Sequence, residues 1–364
     1  MTSRNILKST AIAFTISIGL ASAALAECNF EGETITIVVP FGEGGGTSQT
    51  FGFFQPYLQK YLPGNPLIQM LNVPGGGSIK GANQFHNNQV VDGTYLLATS
   101  TSTVLNQAAG NPLVEYDLGA YKPVALIESN VHWFTSPTVS ATAYDLGPLK
   151  ERSLNLFALN SPSSADMFHV WIINKLGLDN ARPIPGLSSS NGYQAFLRGE
   201  IQLSSHGTAN YLRQVKQGID AGEITDLMTL GWIQPDGSIE RVPYAPDTPT
   251  FAEQFETMTG APLSDDDLDT YMAINAIWNQ ASKALFLPTE TSDEIVQCWT
   301  NAFAEIVKDA DFIAEAPNRL GPFPLIIGDD ARPVMARATS LSDGVVDQLN
   351  NALKANGLSY RIER

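Results

Sequence analysis

Twice within its first hundred residues the chain runs from a strand-like stretch into a glycine loop and on into an amphipathic segment. Residues 34–41 (TITIVVPF) end in Gly42-Glu43-Gly44-Gly45-Gly46-Thr47-Ser48, ahead of residues 51–61, where Phe54, Leu58 and Tyr61 share one helical face. Residues 66–73 (PLIQMLNV) end in Pro74-Gly75-Gly76-Gly77-Ser78, ahead of a helix predicted over 79–88. Such a join presents unpaired backbone N–H groups and the positive ends of two helices to one crevice. Glycine allows φ > 0 and close approach of a ligand to those amides. The pair of loops therefore predicts an anion site on an α/β scaffold.

The alternation continues. Asp92-Gly93 marks a turn, and residues 95–98 start a third strand running into the polar Thr99-Ser100-Thr101-Ser102-Thr103. It restarts in the middle, with a strand at 154–159, a helix at 165–176 stopped by Gly177, helices at 192–197 and 209–217, and a strand at 201–204. Residues 231–269, rich in Pro, Asp and Thr, read as surface loops, and 271–278 and 284–287 read as strands. Helices at 292–309 and 343–355 close the chain. With 364 residues, 43% of them hydrophobic, this is enough for two domains or one large one around largely parallel sheets.

Several functions are disfavoured. The loops match neither G-x-x-x-x-G-K-[ST] nor a dinucleotide fingerprint, so no nucleotide cofactor is expected. Acids outnumber bases 37 to 21, which argues against nucleic acid or anionic lipid as partner. The four histidines lie far apart and no cysteine sits near one, so neither a metal nor any other cofactor is implied. Asp265-Asp266-Asp267 lacks the spacing and glycine of a calcium loop and reads as solvated. A hydrolase using Ser48 or Ser204 would need an acid to orient His206, and there is no Gly-x-Ser-x-Gly elbow. The chain is not expected to be an enzyme.

Residues 1–26 read as an export signal, with Arg4 and Lys8 at its start, an apolar stretch from Ala11 to Leu20 and the small-residue site Ala24-Leu25-Ala26. The stretch is short of the roughly 20 residues a membrane span needs. Loss of the signal takes the net charge from −16 to −18 and predicts a soluble periplasmic protein. In that oxidising compartment Cys28 and Cys298 can form a disulfide; two separate thiols are the alternative.

ITIVVPFGEGGGTS, VPGGGSIKGA and DGTYLLATSTS resemble the opening of the solute receptors of tripartite tricarboxylate transporters, the Bug family. PVALIES resembles the first inter-lobe crossing of that family, LFALNSPSSADMFH its second-lobe loop and helix, and LPTETSDEIVQCWTNAFAEIVKDADF its late helix. The resemblance implies a two-lobed periplasmic binding protein of Venus-flytrap type, each lobe a mostly parallel sheet flanked by helices, with two inter-lobe crossings. It divides the chain into the signal, a first lobe of 27–129 and 275–364, and a second lobe of 130–274. It implies a monomer that captures a di-, tri- or aromatic carboxylate and delivers it to a membrane permease; a sensor docking on a signalling receptor would share the same cleft.

Carried over by position, the ligand-binding residues are Phe41, Gly44, Gly45, Gly46, Thr47 and Ser48 on the first loop and Gly75, Gly76, Gly77 and Ser78 on the second. Ser100 and Thr101 follow the third strand, and Ser163, Ser164 and His206 belong to the second lobe. The chain departs from the family at Gly42-Glu43 in place of a second proline, at Ser48 in place of an acid, and at Lys80 in place of an aliphatic residue. His206 stands where Asp is common. Lys80 either reaches the cleft or points to solvent; His206 either faces the cleft or is a satisfied buried histidine. A cleft-facing imidazole near pKa 6.5 would tighten anion binding as pH falls from about 8 to 6.

Overall fold

Two sheets organise the chain in the computed structural model, which describes residues 28–363 apart from Gln89 and Pro235. The export signal read over residues 1–26 lies outside the described residues. The first sheet takes β1 (Thr34–Val39), β2 (Leu67–Asn72), β3 (Tyr95–Ala98) and β4 (Lys122–Ile127). The second takes β5 (Val131–Thr135), β6 (Asn155–Leu159), β7 (Ala181–Pro185), β8 (Leu203–Gly207) and β9 (Thr225–Thr229). A small hairpin, β10 (Trp232–Ile233) and β11 (Ile239–Glu240), follows; β12 (Lys283–Leu287) and β13 (Ile326–Ile327) then return to the first sheet.

The two sheets share one plan. Their orders are β13-β4-β12-β3-β1-β2 and β7-β6-β8-β5-β9. In the first, β1 is parallel to β2 and β3, and β12 is inserted antiparallel between β3 and β4. In the second, β6 is parallel to β7 and β8, and β5 is inserted antiparallel between β8 and β9. Each inserted strand is the first that the chain forms after crossing from the other sheet. This is the two-lobed α/β fold expected, with most strands of each sheet running one way.

β1 shows how sequence makes these elements. Its β-branched run buries Ile35, Ile37, Val38 and Val39 completely, as a central strand covered on both faces requires. Pro40 ends it, since proline lacks the N–H to continue a ladder. Helix α1 (Gly46–Tyr61) then starts within the first glycine loop, five residues earlier than the amphipathic pattern suggests, and buries Phe51, Phe54 and Leu58. It packs on the late helix Asp293–Ile306, with the rings of Phe54 and Phe303 5.4 Å apart. Helices α2 (Ile79–Asn87) and α3 (Thr101–Ala108) follow the second loop and the third strand.

The region after β9 differs from the sequence expectation. Residues 271–278 are not a strand: the helix Asp265–Asn275 runs into one further wide turn over Ala276–Gln280. Tyr271, Ile274 and Ile277 are fully buried, a three-residue spacing that belongs to one helical face. Asp265, Asp266 and Asp267 form its first turn, where acids favour the helix dipole, and Ser264 caps it by accepting from the Asp267 N–H. Asp267 also pairs with Lys175. The expected surface loops of 231–269 likewise contain the β10–β11 hairpin and the helix Phe251–Thr259, which a Thr250/Glu253 capping box begins.

The C-terminal helix Asp343–Ala355, grouped by sequence with the first lobe, packs on the helix Met167–Lys175 beside the second sheet. Trp171 Nε1 donates to Gln348 Oε1 at 3.0 Å, and Asn356 Nδ2 donates to Asn174 Oδ1 at 2.5 Å.

Cys28 and Cys298 are joined, fastening the segment before β1 to the late helix across 270 residues of sequence. Around this link Trp299 Nε1 donates to the Gly93 carbonyl at 3.1 Å. Gly93 has φ +87°, and a Cβ there would stand 2.6 Å from Ile295 Cγ2, so the turn needs glycine. Reduction is expected to cost about 2–5 kcal/mol of stability. Urea unfolding with and without a reductant measures it, beside intact-mass analysis that finds no alkylatable thiol before reduction; coincident unfolding curves would refute a stabilising link.

Candidate functional site

A cavity of about 290 Å³ lies between the two sheets, lined from both lobes and from the crossings that join them. Its volume is at the lower end of small-molecule sites. The first lobe supplies Gly46, Gln49, Thr50 and Phe53 from the start of α1 and Thr101 from the start of α3. Glu128 and Ser129 come from the first crossing, and Trp278, Ser282 and Lys283 from the return. The second lobe adds Trp133 of β5, Phe157 of β6, Ser204, Ser205 and His206 of β8, and Asp166, His169, Ser189, Asn210 and Arg213 beyond the strands.

The lobes touch across this space. Arg213 Nη1 donates to Gln49 Oε1 at 2.8 Å and Nη2 to Asn210 Oδ1 at 2.7 Å, so the guanidinium spans the lobes through neutral amides. At the first crossing Asn130 N–H donates to Thr208 Oγ1 at 2.7 Å, and Trp232 Nε1 donates to Glu128 Oε2 at 3.3 Å. Trp232 in turn packs on Phe323, ring centroids 5.6 Å apart.

The expected site residues divide into two groups. Gly46, Thr101 and His206 line the cavity. Phe41, Gly44, Gly45, Thr47, Ser48, Gly75, Gly76, Gly77, Ser78, Ser100, Ser163 and Ser164 are not among its lining residues. Ser48 is instead a buried tie within the first loop: Asn72 Nδ2 donates to its Oγ at 2.7 Å and to the Phe41 carbonyl at 2.8 Å. The second loop keeps positive φ at Gly75, Gly76, Gly77 and Ser78 and is held to α3, whose Asn106 Nδ2 donates to the Gly77 carbonyl at 2.9 Å. Ser163 and Ser164 are spent on the turn before Met167–Lys175: Ser163 N–H donates to Ser161 Oγ and Ser164 Oγ to the Ser161 carbonyl. Lys80 is exposed.

His206 faces the cavity, but it does not titrate as expected. It is 3% exposed, and burial, with Arg213 adding to it, pushes its imidazole down to about 4. It therefore stays neutral between pH 6 and 8, with Nδ1 3.1 Å from Ser189 Oγ. Nε2 has no partner among the described residues, leaving a neutral hydrogen-bonding group at the wall. His169 lies between Trp133 and Trp278, at ring-centroid distances of 5.0 and 4.6 Å, with Nε2 2.6 Å from Ser205 Oγ. Burial pushes it down to about 3. An imidazole that weak is a poor general base, so the Ser205–His169 pair is suited to hydrogen bonding rather than to activating a nucleophile.

The ionisable groups missed by sequence reasoning sit at the crossings, in Glu128 and Lys283, and at the start of the helix Met167–Lys175, in Asp166. Burial raises Glu128 to about 7 and Asp166 to about 6. Lys283 is pushed down to about 8 by burial. A lysine opening the apolar run ALFL, and an acid directly after PVALI, were the available signals. Among the described residues no group of three or more His, Cys, Asp or Glu could hold a metal ion, and no helix is long and apolar enough to cross a membrane.

No family model and no curated protein matches the chain. Solved structures do share its fold. The periplasmic binding protein BugD is 18% identical over 89% of this chain and 98% of its own, with a TM-score of 0.59. MatC of Rhodopseudomonas palustris, solved with malate, is 19% identical over the same shares, also at 0.59. A second R. palustris protein, solved with adipate, is 16% identical over 89% of this chain and 97% of its own, at 0.60. The chain has the two-lobed fold of the TctC and Bug solute-binding proteins.

The buried Glu128 carboxyl generates a prediction with a definite sign. Raised from 4.5 to about 7, it keeps its proton in the folded state where the unfolded chain has released it. Its contribution to stability is thus unfavourable and grows as pH rises through that window, by about 1.4 kcal/mol per pH unit at most. Glu128→Gln should melt with the wild type near pH 4 and above it at pH 8. Thermal unfolding at both values decides; a difference that does not change with pH would place the carboxyl in water.

Proposed function

We propose that the chain is a periplasmic solute-binding protein that captures a small carboxylate between its lobes and hands it to a membrane permease. The observation that carries this reading is the charge of the cavity. Arg213, Lys283 and Arg319 line it and form no ion pair among the described residues, while burial raises its two acids, Glu128 and Asp166, toward their neutral forms. Over the whole chain acids exceed bases by 16, so unpaired cations gathered in one enclosed space favour an anion there. Malate in MatC and adipate in the second R. palustris protein support the carboxylate class.

Closure is the mechanism. The ligand stabilises whichever arrangement lets both lobes touch it, so binding shifts the chain toward the closed form that Arg213 and Gln49 complete. The proposed lobes are 27–129 with 275–364 and 130–274, with the C-terminal helix packed on a helix beside the second sheet. Residues 1–26 direct export. Gly46, Thr101 and His206 belong to the site, together with Ser129, Ser189, Ser204 and Asn210. The role is binding and delivery, not catalysis.

Malate, citrate, adipate and benzoate are the probes. At one hundred times its Kd a ligand adds about 2.7 kcal/mol to folding, which a thermal-shift screen reads and calorimetry confirms. Gly46 opens α1, and a Cβ there meets nothing within 4 Å. Gly46→Leu should therefore fold normally and lose binding by filling the cavity. Silence from all four acids would count against the reading, as would full affinity in Gly46→Leu.

A further inference from the structure

Lys283 is the first residue of β12, the strand that re-enters the first sheet after the return crossing. In register it pairs with Ile127, the last residue of β4, and so stands at the seam where both crossings leave the sheet. The neighbouring Ala284 carbonyl accepts from Thr99 N–H at 2.8 Å, which brings the end of β3 and the start of α3 alongside. Lys283 and Thr101 thus line one end of the same cavity.

The ammonium is poorly provided for. Its one hydrogen bond among the described residues goes to the carbonyl of its own neighbour, Ser282, at 3.2 Å. An ammonium carries three donors, and a partly buried one left without a counter-charge is poorly compensated. Glu128 lines the cavity beside this seam, but it makes no ion pair with Lys283 and its carboxyl accepts from Trp232. Asp166 accepts from the backbone N–H of Asn160 at 2.7 Å. Burial alone shifts the Lys283 ammonium, with no acid opposing it.

We propose that Lys283 is the counter-charge for the ligand's carboxylate, which lies between its Nζ and the first turn of α3. The inference rests on the carboxylate reading above and deepens it. Trp133, Phe157 and Trp278 line the same cavity and offer apolar surface for the rest of the ligand. The ligand class is therefore a carboxylate with an apolar body, its head group met by Lys283 at the seam. This assigns the counter-charge to a side chain at the return crossing, while the first glycine loop contributes Gly46 to the cavity wall.

The test uses the full mature chain and Lys283→Met, which keeps the length and apolar character of the stem. Calorimetry compares malate, citrate, adipate and benzoate with their uncharged amides. In the wild type the preferred acid should bind at least tenfold more tightly than its amide; in Lys283→Met the acid should weaken by roughly 10- to 100-fold, the scale of one charge-assisted hydrogen bond. The amide should bind both alike. The ligand-free variant should melt no lower than the wild type, because a partly buried cation without a counter-charge has been removed. Lys283→Gln repeats the comparison if the Met variant fails to fold. Wild type that binds an acid, with a variant that keeps its preference for acid over amide, overturns the Lys283 inference alone. Wild type that binds none of the acids overturns the carboxylate reading and this inference with it.

Discussion

The structure depends on one topological constraint: each sheet is completed by a strand delivered from the other. β5 enters the second sheet directly after the first crossing, and β12 enters the first sheet directly after the return. Because both insertions are antiparallel, their first residues stand at the edge of their sheets that faces the crossings. Without the inserted strand, β4 and β13 in the first sheet and β9 in the second lose the neighbour that ties them to the rest of their sheet. Folding of one lobe and placement of the other are therefore coupled by backbone hydrogen bonds rather than by surface contact. The cavity is the space these insertions leave between the sheet edges, which is why residues as distant in sequence as Thr101, His206 and Lys283 line it together.

That placement also decides the electrostatics. Burial at the cavity shifts several of its ionisable groups toward their neutral forms. Glu128 and Asp166 are raised, while His169, His206 and Lys283 are lowered. A site of this kind discriminates by which charge it can compensate, since an unmatched ion costs more there than at an exposed surface.

Much of the fold was legible in the sequence. The β-branched run 34–39, the glycine joins and the late helix with Trp299 and Phe303 follow from local periodicity, and the Cys28–Cys298 link followed from the compartment argument. The misreading of 271–278 had a local cause: eight residues with Tyr, Ile and Trp satisfy a strand pattern as readily as a helical one. The capping Ser264 and the three acids after it were the helix signal. β4, β5 and β9 were missed because short buried strands carry little pattern of their own, and the edge strand β7 because its two prolines read as loop. The candidate site was less legible. Glycine loops announce themselves, yet the positions that gather at the cavity come from crossings, and only β-register, invisible in a single sequence, brings Ile127 beside Lys283.

The link between Cys28 and Cys298 also sets a schedule. Synthesis runs from the amino end, so Cys28 emerges 270 residues before its partner. At about 5–20 residues per second this leaves it a bare thiol for roughly 15–55 seconds. Through that interval the chain holds no second cysteine to mispair with, since these two are all it has. Errors of oxidation can then arise only with other molecules. When Cys298 does arrive, both inserted strands have already been made, so the bond can close on a chain that holds every strand of the second sheet and the return strand of the first.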